Sequence, residues 1–170
     1  AIDFDSVLTQ VVAVEEGRAT LRVRVGGNIG SNKGVAVSRE VDLPPFSEKD
    51  LAAIDLALSM GVRHFALSFA GSAPDVATLR EMTGKDAFIV SKIESIRGLR
   101  NLRGIAAISN AILIDRGDLS REVPLERLPA AQKQIIGLAR ELGCPVFVAT
   151  NLLESMITNT SPTRAEVNDI

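Results

Sequence analysis

The stretch AFIVSKIES, Ala87–Ser95, joins an apolar run to a lysine and a glutamate. Its first four residues, Ala87 to Val90, are typical of the middle of a buried strand. Successive side chains of a strand point to opposite faces, so Lys92 and Glu94 share one face and lie side by side. The sequence therefore predicts a buried strand that ends in a pair of opposite charges.

Beyond Pro44, similar apolar segments alternate with helical patterns. Strands that are apolar on both faces and alternate with helices specify a parallel sheet covered by helices, either a doubly wound sheet or a (β/α) barrel. Functional groups of both folds lie at the carboxyl ends of the strands. The strands are predicted in HFALSF, AFIVSKIE, AILID and PVFVAT, and the helices from Ser47 to about Met60, from Pro74 to about Met82, through Leu99, Leu102 and Ile105, and from Pro129 to Leu142 before Gly143.

The first forty residues have a different pattern. Two β-type runs, Val7–Val14 and Ala19–Val25, are joined at Glu15–Arg18 and predict a hairpin. The segment Gly26–Gly34 is rich in glycine and asparagine and is expected to be a loop, and it lacks the spacing of a P-loop. The pattern changes near Leu43–Ser47, so we expect a small β unit before this point and an α/β domain after it.

Composition limits the classes of function. The chain has 170 residues, of which 46% are hydrophobic and 24% charged, with a net charge of -2. It shows no membrane-spanning run and no secretory signal, and its single cysteine, Cys144, excludes an internal disulfide, so we expect a cytoplasmic protein without a membrane partner. The mild acidity and the absence of Trp and Tyr argue against nucleic-acid binding and leave charged small molecules as the expected partners.

Every predicted strand ends in polar residues. Lys92 and Glu94 could form a structural ion pair at the rim of the sheet or belong to a functional site. Glu94 and Asp118, on successive strands, would reach one hard divalent cation such as Mg²⁺, and the ammonium of Lys92 suits a phosphate. Such a set is typical of a phosphoryl-transfer or enolate site. The polar residues at the four strand ends are Ser68, Lys92, Glu94, Arg116, Gly117, Asp118 and Thr150.

The order and spacing of several blocks resemble the pyruvate kinase family. The blocks are GGNIGSNKGV, VDLPPFSEKD, SKIES, GLRNLRGI, DRGDLSREVP, QKQIIG, GCPVFVATNLLESM and SPTRAEVNDI. The resemblance implies a (β/α)₈ barrel of the TIM type with a small β domain inserted after its third strand. It also implies transfer of a phosphoryl group from phosphoenolpyruvate to ADP, giving pyruvate and ATP. Residues 1–40 would then be the end of the inserted domain and its return hinge, and residues 41–170 would be part of the barrel. The four predicted strands would be its fourth to seventh.

The resemblance also implies a role for each strand-end residue. Lys92 matches a lysine beside the transferring phosphoryl group, and Glu94 and Asp118 match the carboxylates that hold Mg²⁺ or Mn²⁺. Gly117 and Asp118, after Arg116, match a turn whose N–H groups take the substrate carboxylate. Thr150 matches a threonine beside the enolate. The usual K⁺ site lies outside these residues, and a homo-oligomer is expected by resemblance.

Five single replacements depart from the family pattern, and Ala70–Gly71 stand where an arginine normally follows Ser68 and Phe69. Asn110 replaces an aspartate, Ala111 a glycine, Asp115 an alanine, Ser120 a glycine and Asn151 a glutamine. An additional carboxylate at Asp115 would repel the carboxylate of a substrate or recruit a different ligand, because like charges are costly in a desolvated site. Substrate specificity is therefore expected to differ from that of the family.

The resemblance leaves the first three barrel strands and the eighth without a counterpart. We expect these residues to be a fragment that is inactive alone, unless two half-barrels complete each other. Two alternatives to the kinase remain open. One is a divergent metal-dependent enolate enzyme acting on another 2-oxo acid by aldol cleavage or decarboxylation, for which Asp115 and Asn110 are the motivation. The other is a non-catalytic binding module.

Overall fold

A computed structural model describes residues 1–2, 6–39, 41, 43–150 and 152–169 of the chain. The chain divides into two compact units, Ala1–Leu43 and Pro44–Ile170. Asn151, one of the five departures, lies outside the described residues. The strands are β1 Leu8–Glu15, β2 Arg18–Val25, β3 His64–Leu67, β4 Phe88–Ile93, β5 Ala111–Asp115 and β6 Val146–Ala149, and the α-helices are α1 Glu48–Ser59, α2 Ala73–Thr83, α3 Ile96–Arg100, α4 Leu102–Ile108, α5 Arg116–Leu119, α6 Leu128–Glu141 and α7 Arg164–Asp169.

The first unit contains the hairpin predicted from the sequence. Strands β1 and β2 pair in antiparallel fashion from Leu8 opposite Val25 to Glu15 opposite Arg18. Gly17, in the connecting turn, has φ +71, a left-handed conformation that glycine adopts without strain. The hairpin is confirmed, whereas the assignment of residues 1–40 to an inserted domain stays a prediction.

The second unit contains a parallel sheet of four strands in the order β3, β4, β5, β6. The register pairs Val90 with Ala111 and Lys92 with Leu113, and pairs Asp115 of β5 with Ala149 of β6. The alternation of strand and helix predicted from the sequence is confirmed. The four described strands form an open sheet, so a closed barrel is not part of the described residues.

The two faces of this sheet differ in burial. One face packs against the helices and carries fully buried residues such as Ile89, Ile93 and Ile114. The alternate residues form the other face, here called the open face, on which Phe147 remains 53% exposed. Within the described residues, the helices thus cover one face of the sheet. The residues of the open face are His64, Ala66, Phe88, Val90, Lys92, Ala111, Leu113, Asp115, Phe147 and Ala149.

The helices begin and end where local chemistry requires it. Ser47 and Asp50 form a capping box at the start of α1, because the Ser47 hydroxyl accepts from the Asp50 N–H while the Asp50 carboxylate accepts from the Ser47 N–H. Helices α2, α4 and α6 lie side by side over the sheet, and Ile105 of α4 and Ile135 of α6 are fully buried among them. Burying a side chain of this size stabilises the fold by about 1.5–3 kcal/mol.

The single helix predicted through Leu99, Leu102 and Ile105 is wrong, because the structure contains two short helices, α3 and α4, in its place. The break falls at Asn101, whose side-chain amide donates to the carbonyl oxygen of Gly71 at 2.7 Å. Apolar residues three apart suit one helix or two, so the pattern could not locate the break.

Asn110 and Ala111 lie at the amino end of β5, opposite the strand tips. The Asn110 side-chain oxygen accepts from the Ile89 N–H at 2.9 Å and from the Arg80 guanidinium at 2.7 Å. These bonds fix the start of β5 against β4 and α2. Asn110 thus holds the sheet together at the end away from the strand tips, so its difference from the family does not support a changed substrate.

Glu166 connects helix α7 to the preceding segment. Its carboxylate accepts from the N–H groups of Ser155 at 2.8 Å and Thr163 at 2.7 Å, and from both hydroxyls. The Thr163 hydroxyl in turn accepts from the Glu166 N–H at 3.3 Å. Thr163 and Glu166 thus form a reciprocal capping arrangement at the start of α7. Hydrogen bonds from Ser155, followed by those from Thr163, lower the pKa of Glu166 to about 2.

The stabilisation by Glu166 should depend on pH. Because its pKa is lower in the folded protein than in the unfolded chain, the stabilisation is complete above about pH 4.5 and is lost as the pH falls towards about 2. We therefore expect Glu166→Gln to accelerate hydrogen exchange at the Ser155 and Thr163 amides, and to do so more at about pH 6 than at about pH 3. Glu154→Gln is the control, and equal acceleration at both pH values would contradict the prediction.

Candidate active site

Three charged side chains meet at the tips of β4 and β5. The Lys92 ammonium lies 2.6 Å from Glu94 Oε1 and 3.3 Å from Asp115 Oδ2. Strand alternation places all three on the open face, as predicted for Lys92 and Glu94. Burial by itself would lower the pKa of Lys92, but the carboxylates of Glu94 and Asp115 outweigh burial and raise that pKa. Lys92 is therefore a fixed cation at neutral pH.

Glu94 is the most buried member of the site. Its side chain is 1% exposed, and its Oε2 accepts from the Phe69 backbone N–H at 2.6 Å. Burial raises the pKa of Glu94, and nearby Asp118 raises it further, while the Lys92 ammonium and the Phe69 N–H lower it; burial prevails. Lys92 and the Phe69 N–H therefore compensate only part of the cost of burying the Glu94 charge, and a further cation would stabilise it.

The contact with Phe69 was missed by sequence reasoning. β3 ends at Leu67, two residues earlier than the predicted segment HFALSF, because Phe69 has φ +50 and leaves the extended conformation. This left-handed conformation is costly for an aromatic residue and turns its N–H towards Glu94. A backbone donor carries no signal in the sequence. Ser68, one of the predicted strand-end residues, is exposed at this turn.

Asp115 is not the isolated carboxylate that the sequence suggested. Its Oδ2 pairs with Lys92, and its Oδ1 lies 3.5 Å from the Asp118 N–H at the start of α5. Asp115 is the N-cap of this short helix, a position that aspartate favours. Its negative charge is thus partly neutralised by Lys92, which reduces the repulsion expected for a substrate carboxylate.

Asp118 completes a group of three carboxylates. It lies in α5, after β5, and not on the strand itself, and its Oδ1 is 3.1 Å from the Arg121 guanidinium. One oxygen each from Glu94, Asp115 and Asp118 lie within 4.8 Å of one another. Oxygens that bind one hard cation at about 2.0–2.6 Å are at most about 5 Å apart, so these carboxylates could share one.

The donor set itself fits a divalent cation. Glu94 Oε1 is buried and contacts the Lys92 ammonium at 2.6 Å, and the described residues provide no further hydrogen bond to this oxygen. Buried carboxylate oxygens of this kind are the ligands that Mg²⁺ and Mn²⁺ prefer. The expected pair Glu94 and Asp118 is thus brought together, with Asp115 beside it.

Thr150 lies against the turn at the start of α5. Its hydroxyl accepts from the Gly117 N–H at 3.1 Å, and its carbonyl accepts from Arg116 Nε at 3.1 Å and Nη2 at 2.8 Å. Thr150 follows β6 directly and has φ +68, so its backbone is strained in the same left-handed region as that of Phe69. The N–H groups expected to hold a substrate carboxylate thus have acceptors within the chain, Thr150 for Gly117 and Asp115 for Asp118.

Comparison with known proteins identifies the family of this chain. The family model described as "Pyruvate kinase, barrel domain" matches residues 2–170. The chain belongs to the pyruvate kinase family. Membership agrees with the resemblance found in the sequence, and it supports the interpretation of the four-stranded sheet as part of a pyruvate kinase barrel domain.

Curated pyruvate kinases match nearly the whole chain. The pyruvate kinase of Methylorubrum extorquens is 44% identical over 99% of the chain and 36% of its own length. Those of Dictyostelium discoideum and Mycobacterium tuberculosis are 40% and 39% identical over 97% and 99% of the chain, and over 33% and 37% of their own lengths. The chain thus spans about a third of the pyruvate kinases that it matches.

Proposed function

We propose that the protein containing this chain is a pyruvate kinase, a phosphotransferase that moves a phosphoryl group from phosphoenolpyruvate to ADP and yields pyruvate and ATP. The observation that carries the proposal is the convergence of Lys92 with the carboxylates of Glu94 and Asp118 at one edge of the sheet. Phosphoryl transfer needs positive charge held in place around the phosphate, and a lysine with a carboxylate-bound metal provides it.

Lys92 is proposed as the catalytic cation. Its ammonium is held by Glu94 and Asp115, so little reorganisation is needed when a phosphoryl oxygen arrives. In the reaction, the bond between phosphorus and the enol oxygen breaks, an oxygen of the ADP β-phosphate forms the new bond, and the enolate carbon takes up a proton. Lys92 would neutralise charge on the phosphoryl oxygens throughout.

Glu94 and Asp118 are proposed to hold Mg²⁺ or Mn²⁺, which when bound supplies Lewis-acid stabilisation of phosphoryl and enolate oxygens. The Phe69 N–H keeps the Glu94 carboxylate oriented, and Arg121 orients Asp118. A K⁺ requirement is a family expectation, and its usual residues lie outside this chain.

Arg116, Gly117, Asp118 and Thr150 are proposed to bind the substrate. The turn at the start of α5 offers N–H groups at a helix N-terminus, where an anion is favoured. The 3.5 Å contact between Asp115 and the Asp118 N–H is long for a hydrogen bond, so a substrate carboxylate could replace it at small cost. The Thr150 hydroxyl, now bound to the Gly117 N–H, is proposed to place the substrate or its proton.

The closed barrel and the domain assignment are further parts of the proposal. The strands β3 to β6 would take the fourth to seventh positions of a (β/α)₈ barrel, with residues 1–40 as the end of an inserted β domain. The open face would then turn towards the barrel interior. Exposure of Phe88 and Phe147 on this face supports the proposal, since the remaining strands would cover them.

The expected partners are phosphoenolpyruvate, pyruvate, ADP and ATP. No helix within the described residues is long and apolar enough to cross a membrane. A cytoplasmic location, the absence of a nucleic-acid partner and a homo-oligomeric assembly stay predictions. The two alternatives, another 2-oxo acid enzyme and a non-catalytic module, are not favoured, because the relatives named above are all pyruvate kinases.

A coupled assay of the intact protein tests the proposed function. Pyruvate formation from phosphoenolpyruvate should require both ADP and Mg²⁺, and omission of either is the control. Pyruvate released from oxaloacetate without ADP would instead support the alternative enolate enzyme. Absence of both activities, together with absence of Mg²⁺ affinity by calorimetry, would leave the binding module.

A further inference from the structure

The site contains one carboxylate more than the pair proposed to hold the metal. Asp115 lies at the tip of β5, opposite Ala149 in the register of the sheet. This places it on the open face together with Lys92 and two residues further towards the carboxyl edge. Its carboxylate therefore belongs to the same cluster as those of Glu94 and Asp118.

The distances allow Asp115 to share a cation with the other two. Its ligand oxygen lies within 4.8 Å of those of Glu94 and Asp118. A carboxylate offers about four lone-pair positions. Among the described residues, Asp115 Oδ2 pairs with Lys92, and Oδ1 has a 3.5 Å contact with the Asp118 N–H. Both oxygens therefore retain capacity for a further cation without the loss of a strong hydrogen bond.

The charges in the cluster favour this additional cation. Among the described residues, Lys92 and Arg121 form ion pairs with the three carboxylates. These ion pairs thus join three carboxylates to two cations. Since Glu94 is nearly fully buried and Asp115 is 15% exposed, solvent screens this excess negative charge only partly.

We propose that Asp115 is a third carboxylate ligand of the divalent cation, so that the cation binds this protein tightly before any anionic substrate arrives. The inference rests on the proposed metal site at Glu94 and Asp118. On binding, Asp115 would use its remaining lone-pair positions for the cation, while Lys92 keeps its contacts with Glu94 and Asp115. A third ligand held by the protein leaves fewer positions of the cation to water and substrate.

Calorimetric titration of the intact protein with Mn²⁺ alone, without substrate or nucleotide, tests the inference. Asp115→Asn removes the charge but preserves the N-cap of α5, because asparagine caps helices as well as aspartate does. We expect Asp115→Asn to weaken Mn²⁺ binding at least about tenfold, since loss of even an outer-shell partner costs about 10–100-fold. Asp115→Ala should weaken it at least as much.

Two further variants make the result decisive. Asp86→Asn removes an exposed carboxylate at the other end of the sheet and should leave Mn²⁺ affinity unchanged. Glu94→Gln should weaken binding whether or not Asp115 is a ligand. Normal affinity in both Asp115 variants with weak binding in Glu94→Gln would overturn the inference and keep the proposed metal site. Normal affinity in all variants would overturn both.

Discussion

Replacement of Lys92 by methionine is expected to lower kcat of the intact enzyme by about 10²- to 10³-fold, the usual effect of removing one preorganised donor from a charged transition state. Methionine preserves the length and much of the volume of the side chain but removes the ammonium between Glu94 and Asp115. Lys92→Arg keeps the charge, yet its larger planar head does not fit the same short contacts, so we expect only partial recovery. Steady-state kinetics at saturating Mg²⁺ measure both.

The matched control for Lys92 is Lys85→Met, which removes an exposed ammonium near the amino end of the same strand. It should leave kcat unchanged. Retention of more than about a third of wild-type kcat by Lys92→Met would contradict the role proposed for Lys92. Folding of the variant is expected to survive, because the pKa of Glu94 is already raised by burial and loss of Lys92 raises it further, so that Glu94 can take a proton instead of remaining an unpaired buried charge.

The sheet and the central charged pair could be predicted because they depend on local periodicity. Alternation along β4 predicted that Lys92 and Glu94 share a face, and they lie 2.6 Å apart. The apolar segments beyond Pro44 likewise predicted parallel strands covered by helices, since only such strands read as continuous apolar runs. Each of these conclusions needed information from within about ten residues.

The parts that could not be predicted depend on contacts between distant segments. The N–H of Phe69 reaches Glu94 across 25 positions in the sequence, and Asn101 breaks a helix by binding the Gly71 carbonyl. Asp115 departs from the family pattern in the sequence, but its pairing with Lys92 follows only from the register of β4 and β5. The structural role of Asn110 could not be predicted either, because its partners Arg80 and Ile89 are distant from it in the sequence.

Two of the contacts of Glu94 partly offset the cost of burying its charge. The Phe69 N–H and the Lys92 ammonium both favour the ionised form, whereas burial opposes it more strongly. The ionised carboxylate of Glu94 is therefore energetically unfavourable in its buried position at the strand tip. A divalent cation would relieve it, so stability and metal affinity should be linked at this residue.

Glu94→Gln separates these two effects. Glutamine keeps the shape and can still accept from the Phe69 N–H, but it cannot provide a negative charge to a cation. We expect about 10²-fold weaker Mn²⁺ binding and at least about 10³-fold lower kcat/KM at limiting Mg²⁺, because both the bound metal and the charge that positions Lys92 are lost. Calorimetry and the coupled assay measure these quantities.

The metal-free stability of Glu94→Gln should change in the opposite direction to its activity. Burial raises the pKa of Glu94 in the folded protein, so the ionised form opposes folding at pH values above the usual pKa of glutamate. Removal of the charge should therefore leave the melting temperature unchanged or slightly higher. Added Mn²⁺ should then raise the melting temperature of the wild type but not of Glu94→Gln, with the exposed Glu81→Gln behaving as wild type. Wild-type activity in Glu94→Gln, or equal stabilisation of both proteins by Mn²⁺, would remove Glu94 from the metal site.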